Sequence, residues 1–537
     1  MRNSALGGPT TAARLPGTRA VTIAGVRPVW LLAGMVTIYF LVLAGAMAFK
    51  WTLWGQGFDH VDYEQAIWNT TQGRPFQISR YNFTDSILGM DFMPGLLFAV
   101  PFYALWPSAY MLDMLQTALL ALGAVPVYLI ARDRFGGRSE EGMGRLAGGE
   151  KAGLAWAATY LLYPTLQFVN MTPPWQPRTL AILCLLWAFR FFEQKRLWPF
   201  LLMLAIAITT RTDVSLVVAA WGILAALRQR NWRWWLPPLL LGFGWFYLST
   251  SILTPSFYHA DYDPNAGTVD FDPNAGQQSA AWPGPSAQLG YYAHLGKDPA
   301  DIVKNIVTHP VETFNLMFTQ QKLWYLFLMF GTLLFLPLLA PDVLLLCAPI
   351  FLINLLSTRV YQYTIEEQYQ ALIIPGIVLA GIVGASRLWN TLARHGLRRH
   401  EGPHAVRRQP PTVLLLAQVL LIGMLHIPLK NPVVVALRYH EDPRRVALME
   451  QIAREIPREA KVAATSFLAP HLLPRRQLFY LPPGPMHHPI DEAEYAFIDT
   501  RAAVLEEHPE LLRHLRSSPR WQVIAEENDL LLFRQQP

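Results

Sequence analysis

The chain has 537 residues, of which 52% are hydrophobic and only 15% charged. Soluble domains carry nearer a quarter charged residues, so a soluble globular protein is excluded and a polytopic membrane protein is expected. The net charge of +6 gives no argument for nucleic acid, because the basic residues cluster between apolar runs, as membrane topology demands.

Arg2, Arg14, Arg19 and Arg27 precede an uncharged run over residues 29–49. At about 1.5 Å rise per residue such a run can cross a hydrocarbon core of roughly 30 Å. Basic flanks stay cytoplasmic, so residues 1–28 are expected as a cytoplasmic tail, and the acidic cluster Asp59, Asp62 and Glu64 emerges on the far side. The run is long for a signal peptide, and Ala46-Met47-Ala48 is not read as a cleavage site.

Residues 92–106 form a short apolar stretch broken by Pro94 and Pro101, which predicts an interfacial or re-entrant hairpin. A span over 111–130 then returns to the cytoplasm. Further spans are predicted over 152–170, 178–193, 197–211, 214–228, 234–254, 323–340, 342–357, 371–387 and 412–428. The basic loops at 195–196, 228–233 and 387–408 make the crossings alternate, giving about eleven spans in a helical bundle over 29–428. Its main outer loops are 50–110 and 255–322. The second loop repeats Asp263-Pro264-Asn265-Ala266-Gly267 as Asp272-Pro273-Asn274-Ala275-Gly276. Two copies are turn chemistry, not a repeat fold, and the acidic alternation of a calcium loop is missing.

Residues 438–537 read as a small extracytoplasmic α/β domain. Met449, Ile452, Ala453 and Ile456 mark a helical face. Apolar runs at 462–464, 478–481, 495–498, 523–525 and 530–533 predict strands, the last two joined at Asn528-Asp529. His487-His488 is expected as a solvated loop, because adjacent side chains rarely point at one ion. Cys184 and Cys347 lie in apolar runs and imply no disulfide framework.

In this topology one side collects polar groups at span ends: Asp59, Asp62, Glu64, Arg74, Arg80, Asp85 and Asp91; Gln176 and Arg178; Arg211 and Asp213; and Arg359, Glu366, Glu367, Gln368 and Tyr369. The simple reading of each is a side chain resting in the headgroup layer. Asp59 and Asp213 stand out because each abuts apolar sequence, where an unpaired carboxylate is costly. Arg211 and Asp213 are two apart and would not face each other on a helix, so a break between short spans is expected there.

Phe58-Asp59 with Gln65-Ala66-Ile67-Trp68-Asn69 resembles the opening signature of a large bacterial membrane family known as a domain of unknown function. The resemblance continues through Gly73-Arg74-Pro75-Phe76, Trp175-Gln176-Pro177, His309-Pro310, Pro337-Leu338-Leu339-Ala340-Pro341 and Asn354-Leu355-Leu356-Ser357. That family is in turn similar to the GT-C glycosyltransferases, which take sugars from polyprenyl-phosphate carriers. The resemblance implies a GT-C-like helical bundle in the bacterial inner membrane and makes Asp59 the position that inherits the catalytic base. The chain departs from the family pattern at Glu64, Asp91, Gln176, Arg178, Arg211, Thr212 and Gln368, several of which replace titratable or metal-binding residues.

The function expected is transfer of a sugar from a polyprenyl-phosphate donor to an acceptor at the outer face, with Asp59 as base. Arg211 and Arg178 would hold the leaving phosphate, with Asp213, Asp62, Glu64, Asp91, Gln176, Gln368 and Tyr369 lining the substrate site. No cofactor or metal is expected, and membrane lipid is the surrounding partner. The alternative is a non-catalytic lipid-binding or assembly protein on the same scaffold, favoured by the departures. A secondary transporter is the weakest reading, because no inverted repeat is visible.

Overall fold

The computed structural model describes residues 27–136, 148–171, 175–229, 231–260, 291–292, 294–296, 299–397, 431–483, 487–502, 505–506 and 508–536. The far N-terminal arginines, the paired pentapeptides and the expected span 412–428 lie outside these residues.

Helix α1 (Pro28–Thr52) begins on a proline, whose missing N–H would have had no partner in a first turn anyway. A short α2 (Asp59–Thr71) carries the acidic segment, with Asp59 and Asp62 in the first turn, where the helix dipole favours negative charge. The expected hairpin is present as a 3₁₀ turn (Pro94–Phe98) and α3 (Val100–Leu105). Helices α4 (Ala109–Leu122) and α5 (Ala124–Phe135) run on almost continuously. At Gly123, between them, a Cβ would lie 2.2 Å from the Tyr160 hydroxyl. Only glycine lets α6 (Gly148–Leu162) approach closely enough for Tyr160 to donate to the Leu120 carbonyl at 2.9 Å.

The bundle continues through α7 (Pro164–Met171), α8 (Arg178–Glu193), α9 (Leu197–Ile208), α10 (Val214–Arg228) and α11 (Trp232–Leu248). Next come α12 (Pro299–Thr308) and α13 (Pro310–Met317), inside the stretch expected as the second outer loop, and then α14 (Gln320–Gly331), α15 (Pro341–Leu344), α16 (Ala348–Leu356) and α17 (Ile373–Leu397).

Among the described residues, four helices are long and apolar enough to cross a membrane: Pro28–Thr52, Ala109–Phe135, Trp232–Phe257 and Ile373–Leu392. The others are shorter or broken. The run expected as span 323–340 is interrupted at Leu334 and Phe335, both at positive φ, and by a 3₁₀ turn over Leu336–Leu339 that contains Pro337, and the run 342–357 is broken between α15 and α16 at residues 345–347. A 12-residue helix such as α14 rises only about 18 Å, well short of a hydrocarbon core.

One end of the bundle is tied by ion pairs. Arg190 meets Asp133 at 2.7 Å, Arg228 reaches Glu193 at 3.1 Å and Asp342 at 2.6 Å, and Arg387 reaches Asp342 at 2.9 Å. The ends of α5, α8 and α10, the start of α15 and the middle of α17 therefore share one level. These are the basic loops expected on the cytoplasmic side, together with the turn before residue 342.

At the opposite end sits the C-terminal domain. Its strands are β1 (Val462–Thr465), β2 (Leu478–Leu481), β3 (Tyr495–Asp499), β4 (Trp521–Glu527) and β5 (Leu530–Gln535), in the order β2-β1-β3-β5-β4. β1 runs parallel to β2 and β3, while β5 is antiparallel to β3 and β4. All five predicted strands are present. Asn528 (φ 49°) and Asp529 (φ 62°) make the predicted turn, both in the left-handed region that suits a tight hairpin.

Because side chains alternate along a strand, the sheet buries two faces. Helix α19 (Pro443–Glu455), which follows the short α18 (Pro432–Arg438), packs Met449 and Ile452 against Val462, Ala464 and Leu478. Helix α20 (Pro509–Ser517) packs Leu511 and Leu515 against Ala463 and Phe479. Trp54, Phe58 and Val61 from the first outer segment join the α19 face. Gln65 donates to the Arg476 carbonyl at 2.9 Å, and Ser79 donates to the Leu478 carbonyl at 3.1 Å. The α2 segment and the C-terminal domain are thus one packed unit on one side of α1.

Candidate active site

Asp59 opens α2, and its carboxylate is the exposed member of an otherwise shielded group, with 63% of the side chain accessible. Arg80 holds it at 3.3 Å and holds Asp62 at 2.8 Å from the same nitrogen. The Arg80 guanidinium lies over three rings: Phe58 at 5.0 Å, Tyr81 at 5.2 Å and Tyr480 at 4.9 Å. Tyr480 comes from β2, so the C-terminal domain forms the roof over Asp59. Burial, and then the neighbouring Asp59 charge, push the Asp62 carboxyl up to about 6, with Arg80 pulling against them.

A second group lies where α9 gives way to α10. The chain breaks at residues 209–213, and the break brings Arg211 and Asp213 within 3.5 Å of each other, as helical geometry alone would not. Arg211 also meets Asp91 at 3.0 Å. The other Asp91 oxygen accepts the Thr212 N–H at 3.0 Å and its hydroxyl at 2.6 Å. Buried Arg178, at the start of α8, donates to Asp213 at 2.9 Å and to the Gln368 carbonyl at 3.4 Å. Gln176 and Gln368 are joined by their side-chain amides. Positions 91, 176, 178, 211, 212 and 368, where the sequence departs from its resemblance, are therefore one contact network.

Tyr63 connects the two groups. Its hydroxyl is pushed up to about 12, first by burial; Arg211 and Arg178 draw it down, and Asp59 and Asp91 add to the rise. One hydroxyl thus lies within the field of the expected base and of both expected phosphate-binding arginines. The structure brings together Asp59, Asp62, Asp91, Gln176, Arg178, Arg211, Asp213 and Gln368. Tyr369 joins them through Arg359, whose guanidinium lies 5.7 Å from its ring and 4.8 Å from that of Tyr291.

Glu64 does not join them. It is 3% exposed, bonded to His60 at 2.9 Å and to the Tyr103 hydroxyl at 2.7 Å. Its position four residues after His60 turns it inward, one helical turn along the face away from the roof. His487, expected in a solvated loop, packs instead on Tyr81 and Tyr480 with ring centroids 5.7 and 5.1 Å away. His488 faces elsewhere and meets Glu492 at 2.9 Å. Among the described residues no group of three or more His, Cys, Asp or Glu side chains is placed to hold a metal.

Sequence reading did not single out Tyr63, Tyr291 or Tyr480, and it gave Arg80 and Arg359 no specific role. Arg80 and Arg359 stand in the outer polar set, but only the fold shows which carboxylates and rings they meet. Arg359 differs from the other site arginines: among the described residues it has no carboxylate within ion-pair distance, and it donates to the Tyr291 hydroxyl.

A family profile described as a predicted membrane protein (DUF2079) matches residues 50–532. The chain belongs to this family. The DUF2079 match runs through the outer segment, the bundle and the C-terminal sheet, and with the apolar helices it makes the protein a multi-pass membrane protein. No curated protein matches this DUF2079 member.

Several solved structures are similar at low identity, three of which follow. ArnT from Cupriavidus metallidurans bound to undecaprenyl phosphate is 12% identical, with a TM-score of 0.49 over 95% of this chain and 98% of that one. The Archaeoglobus fulgidus oligosaccharyltransferase tethered to an acceptor peptide is 12% identical, with a TM-score of 0.44 over 84% and 64%. The arabinosyltransferase EmbB from Mycobacterium smegmatis is 14% identical, with a TM-score of 0.32 over 83% and 43%.

Proposed function

We propose that the protein transfers a sugar from a polyprenyl-phosphate donor to an acceptor hydroxyl at the outer face of the bacterial inner membrane. The observation that carries this reading is the setting of Asp59: an exposed carboxylate at a helix start, steadied by Arg80 under the Tyr480 ring of the C-terminal domain. The acceptor oxygen would attack the anomeric carbon and pass its proton to Asp59. The bond from that carbon to the phosphate oxygen breaks, and polyprenyl phosphate leaves with the electron pair. General-base help of this kind contributes about 10²–10⁴ in rate. Cationic groups must hold the growing phosphate charge. Among the described residues Arg359 has no carboxylate within ion-pair distance, while Arg178 and Arg211 would have to exchange Asp213 and Asp91 for phosphate.

In this reading the N-terminal tail is cytoplasmic, residues 29–428 form the membrane domain, and residues 438–537 lie outside. The packing of the C-terminal domain on α2 supports one shared side for both.

The test uses the full chain in proteoliposomes with a panel of polyprenyl-phosphate hexoses. It reads release of polyprenyl phosphate, the product common to every such donor. Release that drops at least about a hundredfold in Asp59→Asn, with donor binding retained, is the expected result. One observation favours a non-catalytic lipid-binding scaffold: Arg178 and Arg211 are already neutralised by Asp213 and Asp91. Donor binding without release from any donor, in wild type and variant alike, would establish that second reading.

A further inference from the structure

A cavity of about 540 Å³ lies apart from Asp59, between the outer ends of α1 and α4 and the C-terminal domain. Its volume falls within the range of small-molecule sites, roughly 300–1,000 Å³. Trp51, in the last turn of α1, and Tyr110, in the first turn of α4, form its membrane-side wall. Amphipathic rings at span ends mark the headgroup level of a bilayer. The opposite wall carries His471, Arg458 and Arg475 from the C-terminal domain.

Two of these side chains are in unusual states. Arg475 is 4% exposed, and among the described residues no carboxylate lies within ion-pair distance of it, Glu459 acting on it only through space. Its Nε donates to the Leu472 carbonyl at 2.8 Å and its Nη1 to the Ala460 carbonyl at 3.0 Å, and no described acceptor is bonded to Nη2. Backbone carbonyls fix the fork but do not cancel its charge. A buried cation without a counter-ion is costly, so an anion that enters is strongly favoured. His471 is held between Trp51 and Trp54, with ring centroids 4.6 and 4.0 Å away, and its Nε2 is buried without a bonding partner. Burial keeps that imidazole neutral by drawing it down to about 3, so Nε2 is free to donate or accept one bond. Arg454 and Glu450 on the rim pair with each other at 3.2 Å, so Glu450 does not offset Arg458 or Arg475, and Glu459 offsets Arg475 only through space.

We propose that this cavity binds a phosphate ester at headgroup depth, with Nη2 of Arg475 and the Arg458 guanidinium on the phosphate oxygens and the Trp51 and Tyr110 rings against the attached carbon chain. Guanidinium is the group whose geometry suits such oxygens, and charge-assisted bonds of this type are the strong ones. The position of the aromatic wall makes an anionic phospholipid the occupant. This site is separate from the Asp59 cleft and does not depend on glycosyl transfer.

The experiment titrates the full chain, in detergent, with phosphatidylglycerol or phosphatidylcholine and counts bound lipid by native mass spectrometry. Wild type is expected to retain phosphatidylglycerol preferentially. Arg458→Gln, an exposed position that leaves the fold intact, should weaken that binding at least threefold, and Arg458→Gln with Arg475→Gln at least tenfold, while phosphatidylcholine binding stays unchanged. Thermal unfolding of each variant separates loss of site from loss of fold. Glycerol phosphate added at millimolar concentration should displace little lipid; full displacement would keep the phosphate site and make a soluble ester its occupant. Equal phosphatidylglycerol binding by wild type and the folded Arg458→Gln variant would overturn the proposal.

Discussion

Tyr480 and Arg80 lie 400 residues apart, yet the Tyr480 ring sits 4.9 Å from the guanidinium that holds Asp59 and Asp62. The C-terminal domain therefore sets the position of the exposed carboxylate through a single cation. A cation over an aromatic face is worth about 0.5–1 kcal/mol when exposed and about 2 when desolvated. With Phe58 and Tyr81 still in place, Tyr480→Ala should cost about 1 kcal/mol of stability. Tyr480→Phe, which keeps the ring, should cost less. Thermal unfolding of the three proteins in one detergent checks the order.

Removing Arg80 itself should do more. Arg80→Ala leaves Asp62 buried and unpaired and frees Asp59 to move. The loss of a buried partner is strongly destabilising, about 3–5 kcal/mol. Arg80→Lys keeps the charge but loses the planar guanidinium that lies over Phe58, Tyr81 and Tyr480, and should recover only part of that. Activity in Arg80→Lys should fall more than stability does, because Asp59 loses its register. Equal falls in both would make Arg80 a purely structural clamp.

Asp62 gives a pH dependence with a definite sign. Its folded-state value of about 6 lies above the ordinary 3.8, so between those two the folded chain holds a proton that the unfolded chain releases. The contribution to stability is complete below pH 3.8 and is lost as pH rises through 6, a change of up to about 3 kcal/mol. Wild type should thus lose stability relative to Asp62→Asn across that window and run parallel to it above pH 7. Denaturation midpoints of the two proteins at successive pH values test this. Parallel behaviour through the whole window would mean that Asp62 is ionised there already.

Much of this architecture was legible in the sequence, and its limits have a physical cause. The expected spans 178–193 and 214–228 coincide with α8 and α10 because basic residues and turn breaks fence each apolar run. The five strands were legible because each is a short apolar run bounded by turn residues. The runs at 323–340 and 342–357 looked continuous because hydropathy averages over Pro337 and Pro349, whereas a helix does not. At the site, Asp59 and the two arginines stood out as charges at span ends. The inward turn of Glu64 and the roof built by Tyr480 had no local signal, since both depend on packing partners distant in the chain.

The shared side of α2 and the C-terminal domain leads to a topology prediction. A periplasm-activated reporter fused after residue 536 should be active, and one inserted between Lys195 and Arg196, beside the ion-paired end, should be silent. The reverse pattern would place Asp59 in the cytoplasm and remove the proposed lipid-borne donor from its reach.

Arg178 and Asp213 provide the last prediction. The pair is 2.9 Å apart with Arg178 buried, and Arg211 shares the same Asp213 oxygen at 3.5 Å. Arg178→Ala leaves Asp213 one cation fewer and also removes the bond to the Gln368 carbonyl, so the loop bearing Tyr369 should loosen. Arg211→Ala leaves Arg178 on Asp213 but frees Asp91 to hold only Thr212. If the arginines grip the donor, Arg211→Ala should weaken polyprenyl-phosphate binding by about 1.5–3 kcal/mol, the range for bonds to charged groups. Arg211→Lys should recover only part of it. Because Asp91 competes for the same guanidinium, Asp91→Asn should tighten binding, and that gain should vanish when Arg211 is also alanine. A double-mutant cycle on donor binding measures this coupling. Additive effects would show that Arg211 serves Asp91 alone and that the phosphate is held elsewhere, with Arg359 the remaining guanidinium of the cleft.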